Sequence, residues 1–239
     1  MKVFITGGTG YIGAHLIKEL ISQGHQVHAL VRNIEKATQL PKEGLLLFKG
    51  DLGDSESIKE AMKGCDQVYH MGGDASIWAK DSSRYYTINV DGTRNVLDAA
   101  LELNVKRVVF TSTAGVLGPS HDGVVTEMKF RNIDFFNDYE SSKAMAESLV
   151  KSYVAEKNLD VVIVSPTRVF GPVLFGDPAS LTLLISKYAK GRWRIIPGDG
   201  SKIGNYVFVD DVVKGHILAM QNGAKGGTYI LGGENHSYN

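Results

Sequence analysis

The sequence predicts an α/β protein built on a doubly wound parallel sheet. Three observations carry that expectation. The chain opens on a short apolar run, Val3-Phe4-Ile5, then a glycine-dense turn, then apolar residues at helical spacing over 14–22. Apolar runs of strand length recur further on, separated by helix-length segments, which is the pattern of parallel strands joined by crossover helices. The 239 residues contain no long low-complexity tract, enough for one such sheet and a small second lobe.

The bulk numbers exclude several roles. Lys+Arg and Asp+Glu both number 26, so the formal net charge is zero. A nucleic-acid or anionic-membrane partner ordinarily goes with a basic excess, and none is present. Cys65 is the single cysteine; it excludes an intrachain disulfide and reads as an inert small residue in a reducing compartment. The chain enters its first strand without a secretory leader, and no apolar run reaches membrane-spanning length. A soluble, cytoplasmic protein without a metal site is expected.

The first strand ends in Gly7, Gly8, Gly10 and Gly13. So tight a turn needs residues without a Cβ, and a diphosphate can then rest on the backbone N–H groups at the positive end of the helix. Gly8-x-Gly10-x-x-Gly13 fits the general dinucleotide pattern, and Gly7-x-x-Gly10-x-x-Gly13 a wider variant. Gly7, Gly10, Tyr11, Ile12 and Gly13 are therefore candidate cofactor contacts. The alternative is a plain turn whose glycines serve packing.

Residues 26–32 read as the second strand, after Gly24. An NAD site usually places an acid at this strand end, against the ribose 2′-hydroxyl. Here stand Arg32 and Asn33. A guanidinium can pair with a 2′-phosphate, and Lys36 can assist, so NADP is favoured over NAD; the alternative for Arg32 is a solvated cation. Residues 45–48 form a third strand, followed by Asp51 and Leu52 as candidates to meet an adenine. Asp51 could instead cap the helix over 55–63, a place that Asp54 or Ser55 fills better. The fourth strand, 66–71, ends at Gly72-Gly73, whose glycines let backbone approach a ligand or simply end a strand, with Met71 and Gly72 as candidate cofactor contacts. In the loop over 74–84, Trp78 is a substrate wall or a lid over the core. A long helix over 85–103 carries Asn89, either a solvated position or an orienting donor. The fifth strand spans 106–111. The glycine turn, Arg32, Asp51 and Met71-Gly72 all lie at the carboxyl ends of strands, where doubly wound sheets bind ligands.

Thr111, Ser112 and Thr113 close the fifth strand, and Tyr139 opens a helix running to 153 with Lys143 one turn later. Positions i and i+4 share a face, so phenol and ammonium can lie side by side. A free phenol has a pKa of about 10; a nearby ammonium favours its phenolate. Such a tyrosine can move a proton on or off a substrate oxygen while a strand-end hydroxyl holds that oxygen. Tyr-x-x-x-Lys alone is a weak motif, and a surface stacking pair is its alternative. Its force comes from following the glycine loop and the hydroxyl-rich strand end. The remaining elements are a sixth strand over 160–165 with Pro166 at its exit, a helix over 181–190, short strands over 206–209 and 229–233, and a closing turn over 234–239 that should begin another helix. Arg192 and Arg194 bind a phosphate or occupy an exposed turn.

Seven segments occur in the order typical of one family: TGGTGYIG at 6–13, GDL at 50–52, NVDGT at 89–93, FTSTAG at 110–115, YESSK at 139–143, PTRVFGP at 166–172 and NYVFVDDVVKGH at 205–216. Over essentially its whole length the chain resembles the extended short-chain dehydrogenases/reductases, the NAD-dependent epimerase/dehydratase family. The resemblance implies a Rossmann dinucleotide-binding domain over 1–165 and a partial substrate-binding lobe over 166–239. It implies a catalytic set of Thr113 (Ser112 its alternative), Tyr139 and Lys143. It places the nicotinamide near Thr111, Pro166 and Val169, the adenine near Asp51 and Leu52, and ribose hydroxyls on Lys143. It makes Asp210-Asp211 the acidic pair that caps a helix over 212–221. Arg32 and the segment HMGGDASIW look closest to the dihydroflavonol-reductase-like branch, which reduces carbonyls with NADPH; Gly72-Gly73 replaces the alanine usual there. The runner-up function is an epimerase or dehydratase acting on a sugar nucleotide with retained NAD, and a third is a non-catalytic dinucleotide-binding protein. Family relatives imply a homodimer. They also continue for several elements past this chain's end, which implies a substrate pocket short of one wall.

Overall fold

The structure, a computed structural model, describes residues 1–37, 39–76, 79–120, 123–176, 179–196 and 198–239. Trp78 and the Lys36 side chain lie outside the described residues, so neither expectation for them is addressed.

Seven parallel strands form the main sheet in the order β3-β2-β1-β4-β5-β6-β9. They are β1 (Lys2–Thr6), β2 (Gln26–Val31), β3 (Leu45–Lys49), β4 (Gln67–His70), β5 (Arg107–Thr111), β6 (Val161–Pro166) and β9 (Thr228–Leu231). The order reverses beside β1, which is where a doubly wound sheet opens a crevice for a ligand. Alternate side chains leave opposite faces of a strand. Val3 and Ile5 accordingly join a core with Leu16, Ile17 and Leu20 of α1 (Tyr11–Ser22) and Val213 and Met220 of α7 (Val209–Asn222). Phe4, between them, joins the opposite core with Ile58 of α2 (Ser55–Met62), Leu97 of α4 (Gly92–Glu102) and Val150 of α5 (Asp138–Lys157). Burial on both faces is why these strands read as unbroken apolar runs.

Asp54 caps α2, accepting from the Glu56 and Ser57 N–H groups at 3.2 Å, so Asp51 is free of that duty. The long helix of the sequence reading starts earlier, as α3 (Ser83–Tyr86), and passes through a wide π-type turn at Thr87–Asp91 into α4. Asn137 caps α5 through the Glu140 N–H at 2.8 Å; the helix runs four residues past its expected end, to Lys157, and stops at Asn158 in the left-handed region, φ 57°.

A small sheet, β10-β8-β7, stands beyond the main one. It comprises β7 (Arg168–Phe170), β8 (Gly204–Phe208) and β10 (Glu234–His236), with α6 (Ser180–Ala189) nearby. Two sequence expectations fail here. Residues 234–236 form a strand rather than the start of a helix, because the edge of β8 takes them antiparallel and Asn205 clamps Gly233 through both its amide atoms, at 2.9 and 3.0 Å. Asp210 and Asp211 lie inside the first turn of α7 rather than capping it; Phe208 occupies the cap position with no side-chain bond. They act through the helix dipole instead. From beyond residue 166, α7 and β9 return to the main sheet. Among the described residues no helix is long and apolar enough to cross a membrane. Cys65 is buried and free, and burial pushes its thiol up to about 11.

Candidate active site

A cavity of about 700 Å³ opens at the carboxyl ends of β1, β4, β5 and β6. Its floor is the β1–α1 turn. Gly7 has φ +73°, and its carbonyl accepts from Gly10 N–H at 2.9 Å. A Cβ on Gly13 would stand 2.1 Å from that same carbonyl, so the turn can close only on a glycine. Gly10 caps α1 without a side chain, and no acid occupies the first turn. The positive end of the helix therefore faces the cavity without a carboxylate of its own.

The β4 side is held by a chain of hydrogen bonds whose directions can be deduced. Thr93 Oγ1 gives its proton to the Asn89 carbonyl (2.6 Å), so it accepts from His70 Nε2–H (3.0 Å). His70 Nδ1 then accepts from the Thr6 hydroxyl (2.7 Å), whose oxygen accepts from Gly72 N–H (2.9 Å). His70 is completely buried, and desolvation, aided by the charge of Lys143, pushes its pKa down to about 3. Asn89, undecided from sequence, is 1% exposed and is an orienting group. Its carboxamide accepts from Asp74 N–H (2.7 Å) and donates to Asp74 O (3.1 Å) and Ser142 Oγ (2.9 Å); Ser142 in turn donates to Tyr139 O (2.8 Å). One amide thus ties the β4 exit to the start of α5. Asp74 is paired with Arg84 at 2.7 Å, and the charge of Arg32 also acts on its carboxyl.

Thr113, Tyr139 and Lys143 line the same cavity. The Thr113 hydroxyl accepts from Gly115 N–H at 3.2 Å and interacts with the Tyr139 phenol. Lys143 Nζ donates to the Thr111 carbonyl (2.7 Å) and lies 4.2 Å from the centre of the Phe110 ring. Burial lowers the lysine to about 8, against a smaller opposing effect of Glu147. Burial raises the Tyr139 phenol to about 12, the Thr113 hydrogen bond opposing and the Glu140 charge adding. The sequence reading expected the ammonium to favour the phenolate. In the protein alone desolvation governs the phenol, and the ammonium is spent on a carbonyl. Thr111 is held on its other side: His216 Nδ1–H donates to the Val212 carbonyl (2.8 Å), leaving Nε2 to accept from the Thr111 hydroxyl (2.9 Å).

Of the residues singled out in the sequence, Gly7, Gly10, Tyr11, Ile12 and Gly13 line the cavity floor. Met71, Gly72, Thr111, Pro166 and Val169 line its walls. Three stand outside the lining. Leu52 packs between Gly72 and Gly92, next to it. Asp51 is exposed and takes Gly53 N–H at 2.9 Å. Arg32 is exposed past the end of β2. Gly73, read with Gly72 as a close approach to a ligand, lines the cavity too; Ala75, Thr167, Arg168 and Tyr238 line it without having been singled out for it. Ser112 Oγ is buried with no partner among the described residues. A free helix end, a glycine floor and an orphaned hydroxyl fit a dinucleotide with its phosphates on the floor and its polar ring near β5.

A second cavity, about 780 Å³, adjoins the first through Leu181, Leu184 and Tyr238. Phe170, Trp193, Tyr206 and Phe208 give it an apolar wall; Arg194 lines it and Arg192 does not.

Comparison with known proteins bears on the family and the fold. The model of the NAD dependent epimerase/dehydratase family matches residues 3–232. A putative dihydroflavonol 4-reductase of Synechocystis sp. is 34% identical over 97% of this chain and 68% of its own length. Cinnamoyl-CoA reductase 1 of Petunia hybrida is 35% identical over 95% of this chain and 71% of its own. The crystal structure of DesIV, a dTDP-glucose 4,6-dehydratase from Streptomyces venezuelae with NAD bound, superposes with a TM-score of 0.88 at 26% identity, over 100% of this chain and 78% of that one.

Proposed function

The chain belongs to the NAD-dependent epimerase/dehydratase family, an NAD(P)-dependent enzyme of the extended short-chain dehydrogenase/reductase type, and from that premise we propose that it reduces a ketone or aldehyde to an alcohol with NADP as its cofactor. The observation that carries the reading is the meeting of Thr113, Tyr139 and Lys143 over a glycine-floored cavity. Similarity to two reductases supports reduction, and the exposed Arg32 at the end of β2 supports the 2′-phosphate.

We read residues 1–165, with the returning α7 and β9, as the dinucleotide domain, and the rest of 166–239 as a partial substrate lobe in a homodimer. Gly7, Gly10 and Gly13 would hold the diphosphate, with Tyr11 and Ile12 beside it. Met71, Gly72, Asp51 and Leu52 would flank the adenosine half, and Thr111, Pro166 and Val169 the nicotinamide half. When bound, NADPH supplies the hydride. Thr113 donates a hydrogen bond to the substrate oxygen while its own oxygen accepts from Gly115 N–H. Tyr139 holds its proton at neutral pH, since its phenol is raised to about 12. It gives that proton to the same oxygen as the carbonyl carbon is reduced. Lys143 fixes the β5 end through Thr111 and replenishes positive charge beside the resulting phenolate.

One experiment tests cofactor and chemistry together: nucleotide titration by fluorescence, with turnover on a panel of carbonyls. Tyr139→Phe abolishes turnover and leaves NADPH affinity within about two-fold. Arg32→Ala weakens NADPH by about ten-fold or more, one charge-assisted contact's worth, and NADH much less. Equal weakening of both removes the NADP assignment. The likeness to a dehydratase favours one second reading, in which NAD is retained and a sugar nucleotide is the substrate. Tightly co-purifying NAD with no net consumption of NADPH would select it.

A further inference from the structure

A strap of chain joins Thr113 to Tyr139, and Arg131 stands at its centre. The Arg131 side chain is only 8% exposed. Nη1 donates to the Gly115 carbonyl at 2.7 Å, Nη2 to the Asp134 carbonyl at 2.7 Å, and Nε to the Ile133 carbonyl at 3.0 Å. Nη2 also lies 3.0 Å from Glu140 Oε2, and the guanidinium sits 4.4 Å from the centre of the Phe135 ring. Its two distant partners flank the proposed catalytic groups. Gly115 N–H holds the Thr113 hydroxyl, while Gly115 O is held by Arg131. Glu140 directly follows Tyr139, and its Oε2 also accepts from Phe136 N–H at 3.3 Å. The fit at this junction is close: a Cβ on Gly115 would stand 3.3 Å from Glu140 Oε1 and 3.4 Å from Thr113 Oγ1.

We propose that Arg131 is a positioning residue for the reaction: by bridging the Gly115 carbonyl and the Glu140 carboxylate it fixes the distance between the Thr113 hydroxyl and the Tyr139 phenol, and it neutralises the carboxylate next to that phenol. The groups that set the phenol's electrostatics come from several elements. Glu140 and Asp138 lie on its own helix, with Asp138 accepting from the Tyr86 hydroxyl of α3 at 3.1 Å. Lys143 stands one turn on, Arg131 in the strap, and Arg168 of β7 at the cavity wall. Of these, Glu140 is the one whose charge raises Tyr139, and Arg131 is its ion-pair partner. A strap that merely stabilised the fold would leave the phenol's acidity alone.

The bearing on turnover rests on the proposed role of Tyr139, so the deciding readout does not use turnover. Difluorotyrosine is incorporated into the full chain in place of tyrosine; its ring fluorines bring the phenol's titration into a range where the protein stays folded. The ¹⁹F resonance of position 139 is assigned by its loss in Tyr139→Phe. Arg131→Met raises the titration midpoint by about half a pH unit or more, and Arg131→Met/Glu140→Gln brings it back to about the parent value. Arg131→Lys, which keeps the charge, leaves the midpoint near the parent. Where Arg131→Met does not fold, Arg131→Gln takes its place with the same expected rise of the midpoint. A midpoint that ignores these substitutions overturns the proposal. In NADPH-driven reduction of 4-nitrobenzaldehyde, Arg131→Met and Arg131→Lys both lose about ten-fold or more in kcat with NADPH affinity unchanged, because both disturb the Gly115 contact. A parent protein that binds no dinucleotide would sink the functional reading and leave the fluorine result to decide this one.

Discussion

Lys143 shows how burial sets what one residue can do. An ordinary lysine stays charged far above neutral pH. This one is 5% exposed, and desolvation brings it down to about 8. The charged form is present below that pH and is lost as pH rises through it. If the ammonium supports the phenolate left on Tyr139 after proton transfer, reduction weakens in the same window. The kcat/KM for carbonyl reduction should be level up to about pH 7 and fall about ten-fold per pH unit above about pH 9. A profile level to pH 10 would show the lysine unperturbed or uninvolved. Tyr139, raised to about 12, does not contribute a limb in this range. Tyr139 and Lys143 were legible as residues in the sequence, through their spacing. Their environments were not, because burial and the Thr111 carbonyl are supplied by strands distant along the chain.

At the scale of elements, the joint between β4 and α5 is the feature a sequence conceals best. The helix expected over 85–103 was legible from its apolar period, but not the wide turn at Thr87–Asp91 that carries the Asn89 side chain between Asp74 and Ser142. The same joint accounts for the glycine pair after His70. A Cβ on Gly72 would stand 2.9 Å from Thr6 Oγ1, and one on Gly73 2.9 Å from Asn89 Oδ1. A side-chain tip can often swing aside, but this amide is pinned by three hydrogen bonds. Gly73→Ala should therefore destabilise by about 1–3 kcal/mol, through a strained contact or a broken clamp. Thermal denaturation checks it; an unchanged or raised Tm would mean that Asn89 yields freely. Strands covered on both faces were legible as apolar runs. β7 and β10 were not: each has three residues and lies in a small sheet, β10 fully exposed, so neither shows an apolar period. β10 exists because β8 offers an edge, a fact of tertiary structure.

Across the whole molecule, two cores on either face of the sheet enclose two histidines that must stay neutral. His70 and His216 are both 0% exposed, and desolvation is the leading cause of their depressed values, about 3 and about 4. Each already has its one ring proton committed, to Thr93 in one case and Val212 in the other. A second proton would face the oxygen of a hydroxyl that is itself donating. In the unfolded chain both would titrate near 6.5. Between that pH and about 4 the unfolded state therefore binds protons that the native state refuses. Stability is full above about pH 6.5 and is lost as pH falls. Each histidine contributes a slope of about 1.4 kcal/mol per pH unit, so the pair removes about 5 kcal/mol by pH 4.5. That equals the whole margin of a marginally stable domain. Urea denaturation at pH 7 and pH 4.5 should show a loss of this order, with His216→Asn flattening the acid limb by about one proton's slope. A free energy independent of pH from 7 to 5 would rule it out. His216 holds Thr111 and the His70 chain holds Gly72 through neutral rings, so both walls of the cavity stay built in the molecules that remain folded at pH 4.5, while the folded fraction itself falls.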